Sequence, residues 1–341
     1  MASRPGDRDA LHVGNGHPAL RAWWHPVAHA DELSDGQVVG VQLLGEFFAV
    51  FRSANGLGAL VDRCPHRRAS LSRGTIVGES LQCAYHGWRF GADGSCQGVP
   101  GASSTLDLAR LSATPIGIRE EAGLVWLAVE EPASSPPILA GSDTSVEVRL
   151  PIYRTRANAA AMIENFLDVA HFPFVHAESF GGSKLSAERI ASVGDYEIQR
   201  NAHSLVATGS HACTDECPPQ IGSDCRQIFT YRYQVPFAAS VSLEHSATGA
   251  RSTSLLLLQP ESGEYIRVFY SVAFNQIAAS AVDIEEVRKF EEQIMHEDMT
   301  VQEAIREPEL CLRGTNEAST RLDRLTLTFR KVLATALFEE R

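Results

Sequence analysis

The sequence has no long hydrophobic run and no excess of positive charge. No apolar stretch approaches the roughly 20 residues that cross a bilayer, so we expect no membrane span. The formal net charge of −12 argues against a nucleic-acid partner, which would require a basic face. The first residues are polar and lack the apolar core of a signal peptide, which makes the cytoplasm the expected location.

The sequence also contains no internal repeat and no low-complexity tract. No Gly-x-Gly-x-x-Gly fingerprint follows a predicted strand, so no dinucleotide site is expected. The length of 341 residues predicts about two domains. A Pro- and Ser-rich segment at 130–137 is typical of a domain boundary. We expect a mobile leader over residues 1–17, a first domain over 18–135 and a second over 140–341.

The first half is rich in short β-forming segments separated by Gly, Asp and Asn. Examples lie at 37–44, 47–51, 58–61 and 123–129. Alternating short segments of this kind predict a small antiparallel β domain.

Two Cys/His pairs form the most specific pattern in the chain. Cys64-Pro-His66 is followed, after sixteen intervening residues, by Cys83-Ala-Tyr-His86. Zinc fingers usually pair Cys with Cys and His with His, so this order disfavours structural zinc. The spacing fits a 2Fe–2S cluster with two thiolates on one iron and two imidazoles on the other, which is a Rieske centre. Seven cysteines without secretory context also indicate thiols and metal ligands rather than disulfides.

A second ligand-rich stretch holds two carboxylates and two imidazoles within thirteen residues. On one helix, Glu164, Asp168 and His171 fall at i, i+4 and i+7 and share a face. Pro173 is predicted to end that helix, because its ring clashes with the carbonyl four residues back. The resulting turn can bring His176 beside His171. Two imidazoles with a nearby carboxylate indicate a borderline divalent metal such as iron, whereas ordinary core residues would leave costly buried charges.

The second half is predicted to combine helices at about 157–172 and 282–306 with several long β segments between them. The late helix carries Asp298 with three apolar residues on the same face, which are candidates for a pocket: Phe290, Ile294 and Met295. From the residues alone, Glu164, Asp168 and Asp298 all compete to be the carboxylate that a two-histidine iron site needs.

Taken together, the Cys/His loops and the later two-histidine stretch resemble the α subunit of the Rieske non-heme iron oxygenases. Within that family the chain is most similar to the homo-oligomeric monooxygenases of the dicamba and vanillate O-demethylase type. The resemblance implies an α+β fold: an N-terminal antiparallel β Rieske domain, then a helix-grip-like catalytic domain with an antiparallel sheet and flanking helices. His25 and Arg68 depart from the family pattern.

The resemblance also implies the cofactors and several residue roles. A Rieske 2Fe–2S cluster and a mononuclear Fe(II) are expected, with Asp298 as the third iron ligand beside His171 and His176. Asp168 is expected to bridge an iron histidine to a Rieske histidine of the neighbouring subunit in a homotrimer. Glu164 is expected to support its helix or a subunit contact.

The expected function is O2-dependent monooxygenation, by hydroxylation or by O- or N-demethylation, of a small apolar aromatic or heterocyclic substrate. Electrons from NAD(P)H would arrive only indirectly, through a separate ferredoxin and/or flavin reductase. Two alternatives remain at this point: arene cis-dihydroxylation by the same centres, and a Rieske electron-transfer protein with a structural second domain.

The remaining cysteines carry weaker signals. Cys213, Cys217 and Cys225 lie in a Pro- and Asp-rich loop, but their spacing matches no usual zinc site. Cys96 and Cys311 are expected to be small apolar fillers.

Overall fold

The structure is a computed structural model that divides into two compact units. It describes residues 11–102, 107–139, 144–179, 197–212, 226–280, 282–314 and 317–339. One unit comprises Gly16–Pro136 with Gln259–Gly263, and the other comprises Met1–Asn15, Pro137–Leu258 and Glu264–Arg341.

The chain enters the second of these units through a strand, β1 (Leu11–Gly14), which pairs antiparallel with Glu309–Arg313. Asn15 follows it and holds the backbone on both sides, donating to the Ala157 carbonyl and accepting from the Ala159 N–H, each at 2.8 Å. The prediction of a mobile leader over residues 1–17 is therefore wrong from residue 11 onward. The strand that pairs with β1 lies near the end of the chain, so no local sequence pattern reveals this pairing. Residues 1–10 lie outside the described part.

Three small antiparallel sheets build the described part of the Gly16–Pro136 unit. The first contains β2 (His25–His29), and the second contains β3 (Val38–Leu43), β4 (Glu46–Ser53) and β5 (Gly56–Val61). The third is formed by β6 (Thr75–Val77), β7 (Ser80–Gln82), β8 (Arg89–Phe90) and β9 (Cys96–Gly98). Two further strands, β10 (Gly117–Glu121) and β11 (Leu124–Ala128), complete the first sheet in the order β10-β11-β2.

Alternation along β4 distributes its side chains between two hydrophobic clusters. Phe48 packs in one with Val125, and Phe51 packs in the other with Leu81. The second cluster also contains Cys64, Cys83 and Cys96. Because successive strand residues point to opposite faces, one strand can serve both cores. The predicted antiparallel β domain is confirmed, and it anchors two of the predicted cluster ligands in its core.

The other unit is built on an eight-stranded sheet with the order β12-β19-β18-β17-β16-β15-β14, to which β13 adds by pairing with β19. Its strands are β12 (Thr144–Arg149), β13 (Tyr153–Thr155), β14 (Glu197–Arg200), β15 (Ser204–Ala212), β16 (Arg226–Gln234), β17 (Ala238–His245), β18 (Arg251–Pro260) and β19 (Ile266–Asn275). The strand that pairs with β1 is β20 (Glu309–Arg313). This sheet confirms the predicted α+β class.

This unit contains five α-helices among its described residues, and the last two are the longest. They are α1 (Ala159–Leu167), α2 (Phe172–Val175), α3 (Gln276–Ala279), α4 (Ile284–Ala304) and α5 (Arg324–Ala334). Asp283 caps α4 by accepting the N–H groups of Glu285 and Glu286 at 2.9 and 3.1 Å, which satisfies donors that the first turn leaves free. The observed α4 agrees with the helix predicted at 282–306. Among the described residues, no helix is both long and apolar enough to cross a membrane.

Candidate metal centres and substrate pocket

The first Cys/His loop is closed by the backbone around Cys64. The Cys64 N–H donates to the Ala69 carbonyl, and the Arg68 N–H donates to the Cys64 carbonyl, both at 2.8 Å. Arg68 closes the turn with φ at +59°, a left-handed conformation that non-glycine residues rarely adopt. Burial raises the pKa of the Cys64 thiol, and the backbone N–H groups of His66 and Arg67, which favour the thiolate, offset part of that effect.

The second loop repeats the same backbone pattern. The Cys83 N–H donates to the Trp88 carbonyl at 2.8 Å, and the Gly87 N–H donates to the Cys83 carbonyl at 3.0 Å. Gly87 has φ at +69°, which glycine adopts without steric cost. Two loops of equal geometry thus face each other, each with a cysteine at the start and a histidine inside the turn.

The four side chains are arranged with sulfur inside and imidazole outside. Cys64 and Cys83 are each 2% exposed, whereas His86 is exposed and His66 is half-buried. The two imidazole rings are 4.5 Å apart between centroids, and Trp88 stacks on His66. His66 Nδ1 is buried without a hydrogen-bond partner in the described residues. A buried ring nitrogen without a partner is costly, and ligation of a metal would satisfy it. Two thiolates and two imidazoles therefore fit a Rieske cluster.

A second group of metal-ligating atoms lies in the other unit, where His171, His176 and Asp298 converge. The two Nε2 atoms are 3.2 Å apart, and Asp298 Oδ1 lies 3.5 Å from Nε2 of His171 and 3.2 Å from Nε2 of His176. Adjacent ligands of an octahedral ion with bonds of ~2.1 Å are separated by about 3.0 Å. The three atoms therefore match one triangular face of an octahedron, the arrangement of a two-histidine, one-carboxylate iron site.

The helix that leads to this site is shorter than the sequence predicts. One helix over about 157–172 is expected, but α1 ends at Leu167 and Asp168 has extended backbone angles. The Asp168 carboxylate accepts the Ala170 N–H at 2.8 Å, which offers the backbone an alternative to the helix. Pro173 lies in the first turn of α2, where a missing N–H is tolerated.

The predicted common face of Glu164, Asp168 and His171 is therefore absent, since His171 lies beyond the end of α1. The predicted return of the chain is nevertheless present, because His176 does lie beside His171. Pro173 separates the two histidines as expected, although the helix breaks before the proline.

Glu164 points to a different partner and takes no part in the group of ligands. Its two oxygens accept from Nε and Nη2 of Arg330 in α5, at 2.6 and 2.7 Å. A two-bond pair of this kind joins α1 to α5 with fixed geometry. The expectation that Glu164 supports its helix agrees with this contact.

Two side chains that the sequence analysis did not assign hold the ligands in place. Glu297 accepts from Nδ1 of His176 at 2.7 Å and is itself held by the Ser179 hydroxyl at 2.6 Å. The Asn165 amide donates to Asp298 Oδ1 at 2.8 Å. A carboxylate on the far ring nitrogen fixes the orientation of a ligand histidine and raises its basicity. The sequence signal for these two residues is their position: Glu297 directly precedes Asp298, and Asn165 lies about one helical turn before Asp168.

Asp168 occupies the equivalent position on His171. Its Oδ2 lies 3.4 Å from Nδ1 of that ring, and about a quarter of its side chain is exposed. The two histidines thus each have one ring nitrogen directed at the triad and the other at a carboxylate.

The charges of the triad are strongly coupled. Burial disfavours a charged imidazole, but hydrogen bonds to Asp168 and Asp298 outweigh it and raise the pKa of His171 to about 9. Burial also disfavours the carboxylate, yet hydrogen bonds from His171 and His176 lower the pKa of Asp298 to about 2. The environment therefore favours positive charge between these atoms, and a divalent cation bound there would take the place of the proton.

A cavity of about 480 Å³ opens onto the triad. Apolar and aromatic side chains form most of its wall, as is usual for small-molecule pockets. It is lined by all three residues that the sequence analysis predicts for a pocket: Phe290, Ile294 and Met295. The other described lining residues are Phe166, Phe172, Val241, Leu243, Ser252, Ser254, Tyr270, Val272, Phe274, Glu286, Val287 and Glu291.

Of the remaining cysteines, only Cys96 and Cys311 lie in the part of the chain that the structure describes, and neither belongs to a group of metal-ligating side chains there. Cys96 is buried in the core as expected, and Cys311 is partly exposed in β20. Cys213, Cys217 and Cys225 lie outside the described residues.

The sequence matches two protein families in chain order. Residues 23–114 match the Rieske [2Fe-2S] domain, and residues 155–339, more than half of the chain, match the vanillate O-demethylase oxygenase C-terminal domain. The chain therefore belongs to the Rieske non-heme iron oxygenases. The cofactors of this class are a Rieske 2Fe–2S cluster and a mononuclear non-heme iron, and both fit the donor sets described above.

Curated relatives support this assignment over part of their length. Methylxanthine N1-demethylase NdmA of Pseudomonas putida is 33% identical over 166 residues, which are 46% of this chain and 47% of that protein. The 5,5'-dehydrodivanillate O-demethylase oxygenase subunit of a Sphingobium strain is 32% identical over 190 residues, or 52% of this chain and 44% of that protein. The chain thus matches less than half the length of these relatives.

Solved structures share the fold over nearly the whole chain. The Pseudomonas putida NdmA QL mutant with theobromine superposes with a TM-score of 0.79 at 23% identity, covering 95% of this chain and 97% of that one. Dicamba monooxygenase bound to dicamba gives a TM-score of 0.74 at 21% identity, covering 93% and 97%. At these identities the likeness establishes the fold.

Proposed function

We propose that this protein is the oxygenase component of a monooxygenase system, which hydroxylates or O- or N-demethylates a small apolar, aromatic or heterocyclic substrate. It uses O2 and electrons from NAD(P)H that are delivered by a separate ferredoxin or flavin reductase. The observation that carries this proposal is the opening of the His171, His176 and Asp298 triad onto an apolar cavity. An electron carrier needs no such cavity.

In this proposal Cys64, His66, Cys83 and His86 hold the cluster. The buried Nδ1 of His66 and the paired loops support the assignment. The cysteines lie in the core while the histidines lie near the surface, which gives electrons a short way in through the imidazole side. When bound, the cluster supplies single electrons and the iron supplies the activation of O2.

The second proposed centre is held by His171, His176 and Asp298, and the residues around it have positioning roles. Glu297 keeps the Nδ1 proton of His176 away from the triad, so that Nε2 presents its lone pair. Asn165 donates to Asp298 and fixes the direction of its carboxylate. The apolar wall contributed by Phe290 and Ile294 limits water next to the reacting centre, which strengthens electrostatic interactions there.

Asp168 is proposed to connect the two kinds of centre between subunits of a homotrimer. The family resemblance implies that a carboxylate here accepts an N–H from an iron histidine and from a cluster histidine of the neighbouring subunit. The contact with His171 Nδ1 and the partial exposure of Asp168 agree with that role. A head-to-tail interface of this type closes into a ring.

Arene cis-dihydroxylation is the second candidate, and a specific relative favours it. The 3-chlorobenzoate-3,4-dioxygenase oxygenase subunit of Comamonas testosteroni is 31% identical over 187 residues, covering 52% of this chain and 43% of that protein. Both reactions use the same two centres, so product analysis must separate them.

The test is a substrate panel of methylated and unmethylated aromatic and heterocyclic compounds, run with a surrogate reductase. NADH use and product mass are followed together. Substrate-dependent NADH use with a product heavier by one oxygen, or lighter by one methylene, supports the proposal. A product that gains two oxygens and two hydrogens supports dihydroxylation instead. NADH oxidation that no compound stimulates, in a protein loaded with both centres, would contradict both.

A further inference from the structure

The charge of the substrate pocket is one-sided. None of its described lining residues is a lysine or arginine, whereas Glu286 and Glu291 line it in addition to Asp298. Glu286 is exposed at the surface end, and Glu291 is partly buried. A carboxylate substrate would meet no lysine or arginine on these walls, and its burial beside Glu286 and Glu291 would be costly.

Glu291 is placed in the pocket by the same helix that carries the triad aspartate. It lies seven residues before Asp298 on α4, and this separation of about two turns puts both carboxylates on one helix face. The apolar residues Phe290 and Ile294 flank it on the pocket wall. Glu291 is therefore an acid set into an apolar surface.

Tyr270 of β19 holds this acid in a single orientation. Its hydroxyl donates to Glu291 Oε2 at 2.7 Å, and Ser254 of the neighbouring strand interacts with the same hydroxyl. Burial raises the pKa of Tyr270 well above its ordinary value, so the tyrosine stays neutral and acts as a donor. The second oxygen of Glu291 makes no hydrogen bond within the described residues. It is thus a directed acceptor on the wall of the cavity.

We propose that Glu291 is a specificity-determining residue that pairs with an amine or other N–H group on an otherwise apolar substrate, and that carboxylate substrates are rejected. This inference rests on the proposed function, because it takes the cavity at the triad as the substrate site. A protonated amine supplies the positive counter-charge for the partly buried Glu291 carboxylate. Hydrogen bonds between charged groups are stronger than those between neutral groups. Glu286 at the entrance adds attraction for the same sign of charge.

The test uses three probes with the same ring body and different charge: 1-naphthylmethylamine, 1-naphthylmethanol and 1-naphthoate. Dissociation constants are measured anaerobically by calorimetry on protein loaded with cluster and iron. We expect the amine to bind at least about tenfold more tightly than the naphthoate, with the alcohol between them. Equal or tighter binding of naphthoate to the unmodified protein would overturn the proposal without any variant.

The matched variants are Glu291→Gln, which keeps size and can still accept from Tyr270, and Glu292→Gln, which removes an adjacent charge not lining the pocket. Glu291→Gln should lower the affinity for the amine about tenfold and leave that for the alcohol nearly unchanged. Glu292→Gln should change neither value. An amine that binds through the iron would keep its affinity in Glu291→Gln, and that result would also overturn the proposal. Binding is read without turnover, so failure here is distinct from failure of the oxygenase function.

Discussion

The two candidate metal centres are built by different means. The proposed cluster ligands lie within residues 64–86, on two loops with the same pattern of backbone hydrogen bonds. The proposed iron site instead joins His171 and His176 to Asp298 of a distant helix, and the side chains of Glu297 and Asn165 hold these ligands in place. A site whose ligands are close in sequence and held by local backbone hydrogen bonds can be predicted from the sequence. A site assembled by packing between distant elements can be predicted only in part.

The largest expected effect comes from breaking the packed site at its third ligand. In Asp298→Ala two imidazoles remain without the carboxylate that balances a divalent ion, so mononuclear iron and turnover should be lost. The cluster in the other unit should remain, because none of its ligands changes. Metal analysis should give about two irons per chain instead of about three.

Glu292→Ala, on the same helix but outside the triad, is the control and should keep all the iron. Retention of mononuclear iron by Asp298→Ala would show that another acid completes the site.

A second break separates electron transfer from metal binding. Asp168→Asn nearly preserves shape but removes the charge that holds His171 and, in the proposed trimer, a cluster histidine. Both centres should still load, and the donor should still reduce the cluster. After rapid mixing of the reduced protein with substrate and O2, the cluster should stay reduced and little product should form. Normal reoxidation in a single turnover would make Asp168 only the residue that ends α1.

A smaller effect is expected when the support of one iron histidine is weakened. Glu297→Gln keeps the shape next to His176 but removes the negative charge, so iron affinity should fall about 10–100-fold. Competition with a chelator of known affinity measures this change. The variant's neighbour Gln293, which donates to Glu297 Oε1 at 3.1 Å, provides a control: Gln293→Ala should have a much weaker effect. Equal effects of the two changes would assign Glu297 to general stability.

The smallest effect sharpens the comparison between the two cluster loops. Arg68 and Gly87 close them at φ of +59° and +69°, so Arg68→Gly should relieve strain. The net gain in unfolding free energy should be at most about 1 kcal/mol, because glycine also has more freedom in the unfolded chain. Gly87→Ala should do the reverse, since its Cβ would also approach Pro100 to 3.1 Å. Thermal unfolding of the loaded protein measures both, and destabilisation by Arg68→Gly would mean that the arginine side chain holds its loop.

The outcome of the sequence predictions follows the same division. The cluster loops and the turn at Pro173 depend on neighbouring residues, and the structure has both. The end of α1 was misplaced because the Asp168 side chain competes for the Ala170 N–H, which periodicity does not reveal. Strand β1 was missed because its partner is β20.

Sequence patterns also do not predict contacts between elements that are distant in the chain. Glu297 on α4 meets His176 only after both parts of the chain have packed, and Tyr270 meets Glu291 in the same way. The family resemblance singled out Asp298 among three acids, which the residues alone left open, and the structure brings it to the histidines.

The central claim is that one chain carries a histidine-ligated cluster and a separate mononuclear iron. Iron and sulfide analysis combined with EPR of the dithionite-reduced protein tests it most directly. The account predicts about three irons and two sulfides per chain, with the low average g value of mixed cysteine and histidine ligation. Two irons per chain, or a spectrum of the all-cysteine type, would contradict it.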